Sequence, residues 1–293
     1  MVHKRQAGLL FFILIAEIII SVITCYGTTN HDFILSADWL DSHLHSPTIT
    51  VIDVRSSEKY AQGHIPGAVN LPIHLTFDPG PRNDLLAPIS VITKLFSTTG
   101  IRQDSHLVLY GADDFLDPAR MFWILEVFGH TTVSILDISY QMWKNEKRPT
   151  SSEPVILPRS VFTPSIQATR AATSFSILLA IKDKSKTILD ARAKEQYEGK
   201  VSIAKRYGHI PTALSWPWYN NLQSNQKSGR LKPLGDLSAL YNTLDKNKKI
   251  ITYCNKGKES ALVYFVLRTL GYNVAAYDGS WFEWGNDSTL PIE

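Results

Sequence analysis

Val51-Ile52-Asp53-Val54-Arg55-Ser56-Ser57-Glu58-Lys59-Tyr60 returns later in the chain as Ile188-Leu189-Asp190-Ala191-Arg192-Ala193-Lys194-Glu195-Gln196-Tyr197. Each copy leads into Gly-His-Ile-Pro. In the first this is Gly63-His64-Ile65-Pro66, running on to Asn70-Leu71-Pro72; in the second it is Gly208-His209-Ile210-Pro211, running on to Ser215-Trp216-Pro217 after a polar insertion at about Gly199 to Arg206. Further on, Leu107-Val108-Leu109-Tyr110-Gly111 matches Ile250-Ile251-Thr252-Tyr253-Cys254, and each is followed by a helical stretch ending at Gly129 or Gly271. The copies also close alike, with Val133-Ser134-Ile135-Leu136-Asp137 against Val274-Ala275-Ala276-Tyr277-Asp278, and Trp143 against Trp284 at the same distance beyond. A period of about 140 residues is too long for a solenoid unit and fits a duplicated domain.

Within each copy, short apolar runs alternate with helical stretches, which indicates an α/β fold with a mainly parallel sheet flanked by helices. The segment Ala261-Leu262-Val263-Tyr264-Phe265-Val266-Leu267-Arg268-Thr269-Leu270 is apolar on nearly all sides, so it is expected to be a largely buried helix stopped by Gly271. A chain of 293 residues exceeds what one core usually holds. The expected organisation is an N-terminal segment 1–27, a first domain 31–147, a linker 148–162 rich in charge, Ser and Pro, and a second domain 163–293.

Lys4 and Arg5 precede an apolar run from Ala7 to Ile23, interrupted chiefly by Glu17 and Ser21, and small residues follow at Cys25-Tyr26-Gly27-Thr28. That pattern predicts an export signal cleaved near Gly27, hence a periplasmic or otherwise extracytoplasmic protein. A retained anchor is disfavoured by Glu17 near the middle of the run, and acylation of Cys25 by the threonine before it. Membrane contact is expected only through this segment. The formal charge of +3 and the lack of a basic run with interleaved aromatics argue against a nucleic-acid partner. No His/Cys cluster has zinc-ligand spacing, and neither a metal nor another cofactor is expected.

The chain has two cysteines, Cys25 and Cys254, and cleavage after Gly27 would leave Cys254 alone. Cys254 follows a short apolar strand and opens the turn Asn255-Lys256-Gly257-Lys258-Glu259-Ser260 before the apolar helix. Backbone N–H groups in such a turn converge on the sulfur, and the positive helix terminus and two lysines favour a thiolate. The polar flanks argue against burial of this thiol in an apolar pocket. The first copy has Gly111-Ala112-Asp113-Asp114-Phe115 at the matching place, without thiol or cationic loop, so its expected task is to cover the other copy and wall a cleft between them.

With the paired Asp-x-Arg and Gly-His-Ile-Pro motifs, the Cys-x-x-Gly turn after a strand and the ending Tyr277-Asp278-Gly279-Ser280-Trp281-Phe282-Glu283-Trp284, the chain resembles the tandem-domain rhodanese sulfurtransferases. The resemblance implies two tandem rhodanese-like domains, the second catalytic, that move sulfane sulfur from thiosulfate or 3-mercaptopyruvate to a thiophilic acceptor such as cyanide or a thiol through a Cys254 persulfide. It implies donor binding by the loop Asn255, Lys256, Gly257, Lys258, Glu259 and Ser260, with Lys256 placing the sulfonate of thiosulfate and Arg192 a lesser candidate for lining the cleft. Gln196 departs from the family, many of whose members carry a substrate-binding arginine there, and Arg206 or Arg230 could compensate. Glu259 is a second departure, weakening anion binding unless it points outward or pairs with Lys256 or Lys258.

Asp53, Arg55, Asp190 and Arg192 occur in both copies although only one has a cysteine, which argues for a structural role, and His64 and His209 read as fixing a turn before proline. Two other function classes stay open. A nonenzymatic persulfide carrier would carry the same loop. A cysteine phosphatase would need an arginine about six residues after the cysteine, where Ser260 stands.

Overall fold

Short runs of Ile, Val and Leu make the central strands of two sheets in a computed structural model that describes residues 32–224 and 229–293. In the first copy β1 (Ile34–Leu35), β2 (Ile49–Asp53), β3 (Val69–Asn70), β4 (His106–Tyr110) and β5 (Val133–Leu136) lie in the order β1-β5-β4-β2-β3. In the second, β6 (Ala171–Ala172), β7 (Lys186–Asp190), β8 (Leu214–Ser215), β9 (Lys249–Tyr253) and β10 (Val274–Tyr277) lie in the order β6-β10-β9-β7-β8. All pairings are parallel, so each needs a crossover, and helices supply most of these. The two sheets are the same design used twice, and residues 32–293 form one compact unit. The N-terminal apolar run and Cys25 lie outside the described residues, among which no helix is long and apolar enough to cross a membrane.

The repeated motifs are structural, as their duplication suggested. Sheet register sets Asp53 opposite Tyr110 and Asp190 opposite Tyr253, and each tyrosine hydroxyl donates to its aspartate, at 2.6 Å and 2.5 Å. Arg55 and Arg192 grip the same carboxylates through Nε and Nη2, and each Nη2 also donates to a glycine carbonyl, Gly63 or Gly208, at 2.8 Å. His64 stacks on Tyr60 and His209 on Tyr197, both with ring centroids 3.8 Å apart. Asp190 and Arg192 are fully buried, so removing either partner would leave an unpaired charge in the core, at a cost of about 3–5 kcal/mol.

The copies join along the helices Leu116–Val127 and Lys258–Thr269, which explains why the second reads as apolar all round: one face covers its own sheet and another meets its counterpart. Phe122 and Phe265 meet edge to face at 4.9 Å. Glu126 receives Arg268 at 2.8 Å and the Tyr264 hydroxyl at 2.6 Å. The segment expected as a linker lies along the first copy, with Ser151 bridged to His64 and Phe162 buried against Phe96.

Candidate active site

Cys254 stands at the carboxyl end of β9, the side of a parallel sheet where ligands usually bind. Its sulfur accepts the Gly257 N–H at 3.0 Å, and the N–H groups of Ser260 and Lys256 also act on it. The turn can curl this tightly because Gly257 takes a left-handed backbone, φ 86°. A β-carbon on Gly257 would also meet Arg120 Nη1 at 2.6 Å and Asp278 Oδ1 at 3.0 Å, so the residue is needed for close approach as well.

A second segment clasps the turn from behind. Ser280 Oγ accepts the Cys254 N–H at 3.2 Å, lies 3.9 Å from the sulfur and donates to the Tyr277 carbonyl at 2.8 Å. Trp281 and Phe282 donate their N–H groups to the carbonyls of Cys254 and Asn255. Ser280 adopts φ 51°, a conformation disfavoured for a non-glycine residue and maintained here by these bonds.

Two expectations fail at the sulfur. Cys254 is completely buried and belongs to the apolar core, because the polar flanks turn aside while the thiol points inward. Burial, followed by the negative charge of Glu259, pushes the thiol up to about 11 despite opposing hydrogen bonds from Ser260 and Lys256. The resting sulfur is therefore a thiol. Ser260 Oγ is buried with no other hydrogen-bond partner among the described residues.

Glu259 neither points outward nor pairs with Lys256 or Lys258. Its carboxylate accepts the Asn255 N–H and Asn255 Nδ2, both at 3.2 Å, and burial raises its pKa. Gln196 joins the same group: Asn255 Nδ2 donates to Gln196 Oε1 at 3.1 Å, and Gln196 Nε2 to Asn255 Oδ1 at 3.3 Å. A neutral amide network thus occupies the position where an arginine was expected in many relatives.

Lys256 is exposed, with Nζ 4.6 Å from the Phe282 ring centroid. Lys258 instead reaches Asp117 of the first copy at 2.7 Å. Arg192 is sealed behind the sheet end, bonded to Asp190 and Gly208 and 4.4 Å from the Trp281 ring, so it does not line a cleft at the sulfur. The two suggested substitutes for a Gln196 arginine are engaged elsewhere. Arg206 donates to the carbonyls of Leu290 and Trp284, both at 2.8 Å, while Arg230 pairs with Glu146 at 2.6 Å.

The groups missed from sequence come mostly from the first copy. Arg120, fully buried, forms an ion pair with Asp278 at 2.5 Å and donates to the Gly257 carbonyl at 3.4 Å. Leu86 N–H donates to the other oxygen of Asp278 at 2.8 Å. Arg82 lies 4.9 Å from the Phe282 ring, the ring that Lys256 also approaches, but its guanidinium is paired with Asp84 at 3.0 Å. One signal was available for Arg120: an arginine within the apolar run Pro118-Ala119-Arg120-Met121-Phe122 has to find a buried partner.

The arrangement is a buried thiol that becomes nucleophilic only on ionising, with N–H donors for a sulfur anion and the exposed Lys256 beside an aromatic ring nearby. Known proteins share the fold and much of the sequence. The profile of the rhodanese-like domain matches residues 36–146 and 174–287. The putative thiosulfate sulfurtransferase 1 of Mycobacterium bovis is 33% identical over 276 residues, covering 89% of this chain and 98% of that protein. The 3-mercaptopyruvate sulfurtransferase of Escherichia coli is 31% identical, covering 88% and 97%. The crystal structure of SseA from Escherichia coli superposes with a TM-score of 0.75 at 30% identity, covering 86% of this chain and 99% of that one. An anaerobic ergothioneine biosynthesis enzyme from Chlorobium limicola shares the fold, with a TM-score of 0.77 at 21% identity over 89% of this chain and 70% of that one. Two matched copies in the order read from the repeat, and relatives covered almost end to end, show that the chain belongs to the rhodanese family.

Proposed function

We propose that the protein is a sulfurtransferase that takes the outer sulfur of thiosulfate onto Cys254 and passes it to a thiophilic acceptor. The observation that carries this is the convergence of the Lys256, Gly257 and Ser260 N–H groups on the Cys254 sulfur at the end of β9. Such donors stabilise a thiolate or persulfide anion much as an oxyanion hole stabilises developing charge. After the thiol loses its proton, the thiolate attacks the outer sulfur. A Cys254 S–S bond forms, the S–S bond of thiosulfate breaks, and sulfite leaves with the electron pair. An acceptor such as cyanide then attacks the outer persulfide sulfur, leaving as thiocyanate and restoring the thiolate.

Thiosulfate is preferred to 3-mercaptopyruvate because the exposed Lys256 puts a positive charge beside Phe282, suited to a sulfonate donor, whereas Arg82 at the same ring is paired with Asp84. The test is thiocyanate formation from thiosulfate and cyanide, compared with 3-mercaptopyruvate as donor. Sustained turnover with thiosulfate, lost in Cys254→Ala, is the expected result. A clear preference for mercaptopyruvate would overturn the donor assignment, and sulfur loading without turnover would instead favour a persulfide carrier. For location we infer export with loss of the N-terminal segment, supported by Lys4, Arg5 and the apolar run after them. Intact mass of the mature protein distinguishes cleavage from retention or acylation of Cys25.

A further inference from the structure

Where the second copy has its cysteine turn, the first has a cleft of about 290 Å³ whose lining includes Arg55, Lys59, Gln62, Gly111 and Lys144. The matched positions show how it arose. Gly111 stands for Cys254, Lys59 for Gln196 and Tyr140 for Trp281. Arg192 and Arg55 hold their aspartates identically, yet their outer edges differ. Arg192 Nη1 is buried without a partner near Trp281. Arg55 lines the cleft beside Tyr140, its guanidinium carbon 3.8 Å from the ring centroid. Arg55 is about nine-tenths buried, its Nε and Nη2 are committed to Asp53 and Gly63, and its Nη1 has no hydrogen bond among the described residues.

Lys59 and Lys144 add two exposed ammonium groups, neither in an ion pair among the described residues. The opposing carboxylate in the lining is Asp113, which is held by the Ser139 hydroxyl. A guanidinium edge with two lysines around a space of this size suits a small oxyanion. No sulfur chemistry can follow there. Gly111 has no thiol, and a β-carbon at that position would strike Pro118 at 2.8 Å and Val54 at 3.1 Å.

We propose that this cleft is an anion-binding site retained by the first copy, taking a small divalent oxyanion such as sulfate, sulfite, thiosulfate or phosphate without reacting with it. Held between Lys59 and Lys144, the anion joins the helices Ser57–Ala61 and Tyr140–Asn145 on either side of the cleft. The test uses labelled sulfate, which is not a sulfane donor, so it does not depend on the transfer activity. Equilibrium dialysis is run on the full chain carrying Cys254→Ser. Saturable binding is expected to weaken at least about tenfold on Lys59→Gln with Lys144→Gln, to survive Lys59→Arg, and to persist in Lys256→Gln. Both lysines are exposed, so the double variant should keep its thermal midpoint without sulfate while losing the upward shift that sulfate gives. Unchanged affinity in the double variant, or complete loss of saturable binding on Lys256→Gln alone, would overturn the proposal. Competition by unlabelled thiosulfate, sulfite and phosphate then shows which source of oxyanion fits best.

Discussion

Neutralising Glu259 should make Cys254 more reactive, even though a carboxylate beside a thiol invites reading as its base. Burial and then the Glu259 charge hold the thiol at about 11. At pH 7.5 that leaves about three thiolates in ten thousand, against roughly a tenth for an ordinary cysteine, a deficit of about 300-fold. Glu259→Gln keeps the shape and an acceptor for the Asn255 N–H and removes the charge. Relief of one pKa unit gives about ten times more thiolate, and the lower nucleophilicity of a less basic sulfur takes back about a factor of three. The net gain expected in the second-order rate of iodoacetamide alkylation at pH 7.5 is therefore about threefold. The wild-type rate should climb about tenfold per pH unit from pH 7 to at least about 9.5, with the variant levelling off earlier. A wild-type plateau near pH 7 would show that the thiolate is already formed. Slower alkylation in Glu259→Gln would show that the carboxylate takes the proton, and either result refutes the electrostatic account.

Lys256→Gln should raise KM for thiosulfate about tenfold with little change in kcat, since an exposed lysine places the donor without touching the sulfur; steady-state kinetics in cyanide checks this. Arg120→Met leaves the Asp278 carboxylate without its ion-pair partner, so unfolding in urea should show a loss of about 3 kcal/mol, with turnover falling as the Gly257 carbonyl loses its donor. Gly111→Cys should not create a second sulfur site. Pro118 and Val54 already occupy the space its side chain needs, so mass spectrometry of the thiosulfate-treated variant should find a labile sulfur on Cys254 alone and a lowered thermal midpoint.

The scaffold was legible because it is written twice. Asp53 with Arg55 and Asp190 with Arg192 could be assigned to structure from their duplication alone, and the paired tyrosine, glycine and histidine contacts bear this out. The candidate cysteine stood out for the converse reason, as the difference between Gly111 and Cys254 in otherwise matching places. Its ionisation was not legible. Converging N–H groups are a local property of the turn Cys254 to Ser260, visible in sequence, but desolvation is set by whatever packs against that turn. Here that is the segment Tyr277 to Phe282 and the first copy's Arg120.

The first copy therefore shapes the chemistry of the second while having none of its own. Arg120 ties the Gly257 carbonyl to Asp278, Leu86 N–H donates to the other oxygen of that carboxylate, and Arg82, paired with Asp84, packs against Phe282. The first two contacts brace the turn around a fully buried sulfur, whereas the exposed Lys256 offers charge at the Phe282 ring. A dianion drawn to that lysine cannot itself favour a thiolate, because its own charge opposes ionisation of a buried thiol. A reaction at this sulfur therefore requires both that the proton leave and that the fully buried sulfur become accessible. The two requirements can be separated by substitution: weakening Arg120, which holds the Gly257 carbonyl and Asp278, should expose the sulfur to alkylation, whereas removing Lys256 should leave the sulfur hidden and weaken only the donor's hold.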